Sequence, residues 1–307
     1  MSQIINTVLA LFSVIFLGWA IRRLGLFPGS VTSPLNKLVF YIALPILIFQ
    51  KISQASFGPY FDSALVTGVG VAALAVTLLA LFIGRLLGIK GKELGTFIQA
   101  SIHGNLGYMG LAVAFYFLGE RGFTKASILA SFMILLQNLI SIIALQICST
   151  QRGKALKWLR LAGMLFLNPI ILASLAGLLF SMWEMQTPGF VNRTLTILSG
   201  MALPLGLLLI GSSLSLSPSW PHLKIIAMAG FLKLLILPVI GIGIYKWLSV
   251  SSWDMLPGVI LLGAPTATVT YVMAGEMGGA PSLASSIISV TTLFSGLSYL
   301  MWLSLLS

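Results

Sequence analysis

The sequence predicts an all-α polytopic membrane protein of ten transmembrane helices, arranged as two inverted repeats of five. Three observations predict it. The composition is too apolar for water, apolar runs of span length follow one another with short breaks, and the chain matches itself at a constant offset.

Of 307 residues, 58% are hydrophobic and 7% are Asp, Glu, Lys or Arg, whereas a soluble domain carries about a quarter charged residues. A water-soluble fold is excluded. A span needs roughly 20 apolar residues, so ten spans use roughly two thirds of the chain and leave only short loops. The net charge of +11 does not indicate nucleic acid, because the basic residues sit in loops between apolar runs rather than in a stripe with interleaved aromatics. Cys148 is the single cysteine, so an internal disulfide is excluded.

The apolar runs place spans 1 to 10 near residues 3–21, 33–50, 63–88, 94–118, 123–148, 161–182, 190–214, 221–247, 254–276 and 281–305. Span 1 has no basic segment before it and is followed by Arg22 and Arg23, so it reads as a retained span rather than a cleaved signal. Ser33 before Pro34, and Ser219 before Trp220 and Pro221, read as helix starts, because a proline in the first turn loses no hydrogen bond.

Basic residues are unevenly shared between the two faces. One face holds eleven, namely Arg22, Arg23, Lys37, Arg85, Lys90, Lys92, Arg152, Lys154, Lys157, Arg160 and Lys224, and the other five, Lys51, Arg121, Lys125, Arg193 and Lys246. The positive-inside rule then puts both termini outside.

An offset of 159 residues brings the halves into register: Leu17-Gly18 meets Ala176-Gly177, Ala43-Leu44-Pro45 meets Ala202-Leu203-Pro204, Gly104 meets Gly263, and Ser127 meets Ser286. The halves are 1–150 and 151–307. Five spans per half is an odd number, so the second half enters the membrane from the opposite side, as inverted repeats do.

In such folds a substrate sits near the midplane, where paired spans are interrupted and half-helix N-termini offer N–H groups to an anion. Span 4 contains Ser101-Ile-His-Gly-Asn-Leu-Gly-Tyr-Met-Gly110, and span 9 contains Leu262-Gly-Ala-Pro-Thr-Ala-Thr-Val-Thr-Tyr271 at the matching place. Glycines such as Gly104 and Gly107 weaken a helix by about 1 kcal/mol each, and Pro265 lacks an amide hydrogen. Both spans are expected to break and to cross inside the protein, because unwound backbone is not tolerated against lipid. Asn105, Thr266 and Thr268 then line the crossing.

Four further polar residues are expected near it. Gln137 and Asn138 lie mid-span in span 5 and need internal partners, the freed carbonyls of the crossing among them. Lys233, near the centre of span 8, carries an insertion cost of about 2.5–3.5 kcal/mol; it either neutralises the carbonyl end of a broken helix or carries a proton. His103 borders the break and suits either proton coupling or a buried hydrogen bond. Catalysis is not indicated, since Ser101 and His103, two apart on a helix, face different ways, and neither a metal-ligand cluster nor a phosphate loop occurs.

These residues resemble the auxin efflux carrier family, which includes bacterial organic-acid permeases and the plant PIN-formed auxin exporters. The resemblance spans essentially the whole chain and rests on Leu35-Asn36-Lys37 through Ala43-Leu44-Pro45, Asn105-Leu-Gly107 to Gly110, Ala202-Leu-Pro204, Pro265 and Ser289-Val-Thr-Thr-Leu293. It implies a bacterial inner-membrane carrier for a small organic anion, with spans 1, 2, 6 and 7 as scaffold and spans 3–5 and 8–10 as a mobile bundle in an elevator-type mechanism. Asn105, Gly104, Gly107 and the Pro265 region, with Thr266 and Thr268, would hold the substrate carboxylate. Gln137, Asn138, Lys233 and His103 would support them, with Pro45 and Pro204 as hinges. The chain lacks the proline that many members carry after the span 4 glycines. A sodium-coupled symporter of bile-acid type is the alternative within transport, and an intramembrane hydrolase or a non-transporting receptor the alternative outside it. Coupling to a proton or sodium and assembly as a homodimer stay open; no cofactor, metal or nucleic acid is expected.

Overall fold

A computed structural model describes residues 2–54, 62–148, 167–214 and 222–307. Among these the structure is helical, without strands. The helices are α1 (Ser2–Arg23), α2 (Gly29–Ser53), α3 (Ser63–Leu86), α4 (Gly91–Ile102), α5 (Leu106–Cys148), α6 (Pro169–Met182), α7 (Gly189–Ser213), α8 (Leu223–Trp247), α9 (Ser252–Leu262), α10 (Val269–Glu276) and α11 (Pro281–Leu306). Seven of them, α1, α2, α3, α5, α7, α8 and α11, are long and apolar enough to cross a membrane, and α6 and α9 are shorter apolar helices. The chain is a multi-span helical membrane protein.

Local chemistry sets several boundaries. The Asp62 carboxylate accepts from the Ala64 amide at 2.8 Å to start α3, and the Asn168 side chain accepts from Ile170 at 2.9 Å ahead of Pro169, the first residue of α6. Of span 6, Leu167 and Asn168 are not helical and the described helix runs from Pro169, while residues 161–166 lie outside the described residues. The helix start read at Ser219 to Pro221, and the loop basic residues Arg152 to Arg160, lie outside them too. The start read at Ser33 is displaced, since α2 begins at Gly29, with Pro28 as its cap and Pro34 inside the helix. Pro28 presets the backbone angle and its carbonyl takes the Val31 and Thr32 amides, so the turn closes before Pro34 is reached.

Two prolines deep in spans widen the turn before them. A proline cannot donate and its ring crowds the carbonyl four residues back. Pro45 follows a π-helical stretch at Val39–Ala43, and Pro238 follows one at Leu232–Ile236. The Leu234 carbonyl, freed by Pro238, accepts from Ser298 Oγ at 3.0 Å and Trp302 Nε1 at 2.9 Å, both on α11. Pro204 behaves otherwise: it is exposed near the start of the second part of α7, after a turn at residues 200–201.

In α5 two helices meet at a kink at Gly119, whose φ of 67° is readily open only to glycine. Glu120, just beyond it, forms an ion pair with Lys51 of α2.

Small residues set the closest approaches. α1 packs along α7 with Gly18 against the Leu208 backbone and Gly211 against the Ile15 carbonyl, leaving no room for a side chain at either glycine; close backbone approach of this kind is how helices associate in lipid. α2 packs on α6 and α7. Between α2 and α7 the buried Gln50 is fully satisfied, donating to Thr196 Oγ1 at 2.7 Å and Asn192 Oδ1 at 3.0 Å and accepting from Ser199 at 3.1 Å. Elsewhere α3 lies against α4 and α8, α9 against α5, and α10 against α11. Leu9, Phe16, Leu78, Phe82, Phe190 and Ile197 stay exposed, the apolar exterior that a bilayer demands.

Candidate functional site

α4 stops at Ile102, and the chain is extended at His103 and non-helical at Asn105 before α5 begins at Leu106. α9 stops at Leu262 and helix resumes at Val269. The two gaps meet. Gly104 and Thr266 pair as an isolated antiparallel bridge, in which the Asn105 amide donates to the Pro265 carbonyl at 2.7 Å and the Ala267 amide to the His103 carbonyl at 2.9 Å.

The backbone donors of residues 103–106 and 263–267 all have acceptors, as buried backbone requires. In the first gap the His103 amide goes to the Gln99 carbonyl, Gly104 to Gln137 Oε1 at 3.1 Å, and Leu106 to the Gly104 carbonyl. In the second, Gly263 and Ala264 bond back into α9, Pro265 has no amide hydrogen, and Thr266 donates to Thr291 Oγ1 of α11 at 3.1 Å.

Side chains complete the arrangement. Thr266 Oγ1 donates to the Ala100 carbonyl at 2.9 Å, and Lys233, fully buried, donates from Nζ to the Leu262 carbonyl at 2.6 Å. His103 Nδ1 lies 2.8 Å from Ser141 Oγ of α5. Asn105 Oδ1 accepts from the Tyr108 amide at 3.3 Å and so caps α5. Its Nδ2 group has no partner among the described residues, and the side chain keeps 7% exposure. Gly107, in the first turn of α5, and Thr268, just ahead of α10, are partly exposed beside it; of the opening amides, those of Leu106, Tyr108, Met109, Thr270 and Tyr271 already donate to residues preceding the helices.

The residues singled out in the sequence thus fall into groups. Gly104, Asn105, Pro265, Thr266 and His103 share the crossing, and Gly107 and Thr268 flank it. Gln137 reaches it, but as an acceptor for an amide rather than a donor to a freed carbonyl. Asn138, next along the helix, is half-buried and makes no hydrogen bond among the described residues; adjacent helical residues point in different directions. Thr266 is completely buried with amide and hydroxyl both bonded to protein, so it braces the crossing from within. Pro45 and Pro204 lie near it through their neighbours: Leu44 packs on Gly107, and Gly206 on the ring of Tyr108.

Tyr108, Ser141 and Thr291 carry roles that the sequence does not announce. Tyr108 donates to Asn36 Oδ1 of α2 at 2.8 Å, tying the crossing to a helix outside it. Tyr108 and Thr291 both lie in the stretches that carry the family resemblance. A hydroxyl mid-span signals a need for a partner, yet which partner depends on which helix comes near.

Two unwound segments paired in the interior of a many-helix membrane protein are an arrangement typical of transporters. The chain belongs to the membrane transport protein family of auxin efflux carrier type, whose model matches residues 3–303. It is 29% identical to a Rhizobium meliloti protein named "Putative malonate transporter", over 96% of this chain and 93% of that one. It is also 26% identical to an uncharacterized transporter of Methanothermobacter thermautotrophicus, over 97% and 96%, and 25% identical to one of Methanocaldococcus jannaschii, over 97% of each. The names of the family and of these relatives point to transporters, not enzymes.

Proposed function

We propose that this chain is a carrier for a small organic anion, a mono- or dicarboxylate, that exposes one site alternately to the two sides of a bacterial inner membrane. The observation that carries the reading is the paired crossing of residues 103–105 with 263–268, where the N-terminal turns of α5 and α10 start together beside the free Nδ2 donor of Asn105. Each N-terminus presents about half a positive charge, and two such ends with one amide donor suit a carboxylate. In this reading Asn105, Gly107 and Thr268 contact the cargo, while Gly104, Pro265 and Thr266 form the frame that Gln137, His103 and Lys233 hold. Malonate, the substrate in the name of the Rhizobium relative, is the first compound to try.

The same reading takes the chain as ten spans in two inverted halves. The long helices, the Gly119 kink dividing α5, the short α6 and the pairs α4 with the start of α5 and α9 with α10 are consistent with that count. α1, α2, α6 and α7 act as scaffold, and the remainder as a bundle that slides between two positions, with both termini outside. The test is counterflow in liposomes. Vesicles containing purified protein and loaded with unlabelled malonate should accumulate labelled malonate transiently, and a panel of carboxylates should compete. Absence of counterflow with every acid of the panel would overturn the proposal.

A further inference from the structure

The crossing gathers negative helix ends as well as positive ones, and the two negative ends are treated differently. α4 and α9 both terminate there, each C-terminus carrying about half a negative charge. At α4 the donor to the last turn is neutral, the Thr266 hydroxyl on the Ala100 carbonyl. At α9 it is the ammonium of Lys233 on the Leu262 carbonyl, 2.6 Å away.

Lys233 is the one fully buried Lys, Arg, Asp or Glu among the described residues, and no carboxylate there pairs with it. Its place is well constructed. It sits in the widened turn that precedes Pro238, and α11 grips the neighbouring Leu234 carbonyl through Ser298 and Trp302. A Cβ at Gly104 would lie 3.3 Å from Nζ, so the ammonium reaches the unwound backbone of the other gap as well. Two C-terminal ends sum to about one negative charge, and one lysine supplies one positive charge. Left unneutralised, those ends would offset the attraction of the nearby N-termini for an anion.

We propose that Lys233 is a tethered cation, holding permanently the position on the helix carbonyl end that a mobile sodium ion takes in carriers with cation-coordinating half-helix ends, so that this chain binds its anion without a metal cation. The inference rests on the carrier reading for its transport consequence, though not for its binding consequence. A side-chain ammonium cannot dissociate, and the affinity for the anion should not depend on sodium.

The experiment compares wild type with Lys233→Ala in sodium, choline and methylammonium chloride at equal ionic strength. The first readout is the melting temperature of the purified full chain in detergent. The variant should melt lower than wild type and recover more than half of the loss in methylammonium, which fits the vacated space, but not in choline, which is too large; wild type should not respond. The second readout is malonate counterflow. Wild type should run equally, within two-fold, in sodium and choline, while Lys233→Ala should fall at least ten-fold and regain several-fold with methylammonium. A ten-fold stimulation of wild type by sodium overturns the proposal, as does a variant that transports at the wild-type rate in choline. A folded variant whose melting ignores methylammonium also overturns it. If Lys233→Ala yields no folded protein, the sodium response of wild type decides alone. If wild type shows no counterflow with any acid, the carrier reading fails and the melting comparison still decides the role of Lys233.

Discussion

The hydroxyl of Tyr108 donates to the side-chain oxygen of Asn36 across 2.8 Å, and this contact joins the crossing to α2. Asn36 is exposed on its helix while Tyr108 is buried, so the bond ties an interior element to a peripheral one. In a carrier whose bundle slides past its scaffold, such a tie exists in one position and is broken in the other.

Tyr108→Phe should therefore shift the balance between the two positions. A hydrogen bond contributes about 1 kcal/mol, or about five-fold in an equilibrium constant. The expected outcome is a change of that size in the labelling rate of a cysteine replacing the partly exposed Thr268 in a Cys148→Ser background. An unchanged rate would mean that the tie is kept throughout the cycle.

Asn105 performs two tasks that substitutions can separate. Asn105→Ala removes the cap from α5, at about 1 kcal/mol, and removes the free Nδ2 donor; transport should be lost while folded yield persists. Asn105→Asp keeps the cap and places a negative charge where the anion binds. It should melt close to wild type yet bind malonate at least ten-fold more weakly in a thermal-shift titration. Wild-type affinity in the Asp variant would remove Asn105 from the site.

The prolines differ in what they free. Pro238 leaves a carbonyl that α11 already satisfies, whereas Pro265 lies in the gap and its carbonyl takes the Asn105 amide. Pro265→Ala, by allowing the helix to continue through the gap, should reduce malonate counterflow more than Pro238→Ala does at equal reconstitution. Equal losses would count against the crossing as the working site.

Gly211 and Gly243 make a control pair for packing. A side chain at Gly211 collides with the Ile15 carbonyl, while nothing lies within 4 Å of one at Gly243. Gly211→Val should cost about 3 kcal/mol or more, given that overpacking typically costs about 1–3 kcal/mol when side chains can yield and backbone yields less. It should collapse the yield of monodisperse protein. Gly243→Ala should melt at or slightly above the wild-type temperature, since alanine favours a helix interior by about 1 kcal/mol.

Much of this arrangement is legible in the residues alone. Apolar runs locate the membrane helices because the bilayer imposes one length and one polarity on each. Glycines 104 and 107 and Pro265 mark the gaps because no other residues weaken a helix as strongly. What the sequence conceals is partnership. Gln137 advertises a need for a hydrogen bond, but whether it serves an amide or a carbonyl is decided by the approach of α5 to Gly104. Thr266 reads as a lining residue, and only the proximity of Ala100 and Thr291 shows it sealed inside. The widened turns before Pro45 and Pro238 are equally hidden, since a proline can kink, end or expand a helix according to what its neighbours accept. The early start of α2 escaped because Pro34 reads as a first-turn proline, while Pro28 already fills that office.

Because the amides of the bridged segments find acceptors in protein, the donors of the unwound backbone need no water to accompany them. A sliding element with thirsty backbone would draw a file of solvent across the hydrocarbon layer, and protons would follow it down the membrane potential. In the sliding bundle proposed above, the amides of the paired bridge would need no such file, and the crossing could move without opening a path for protons.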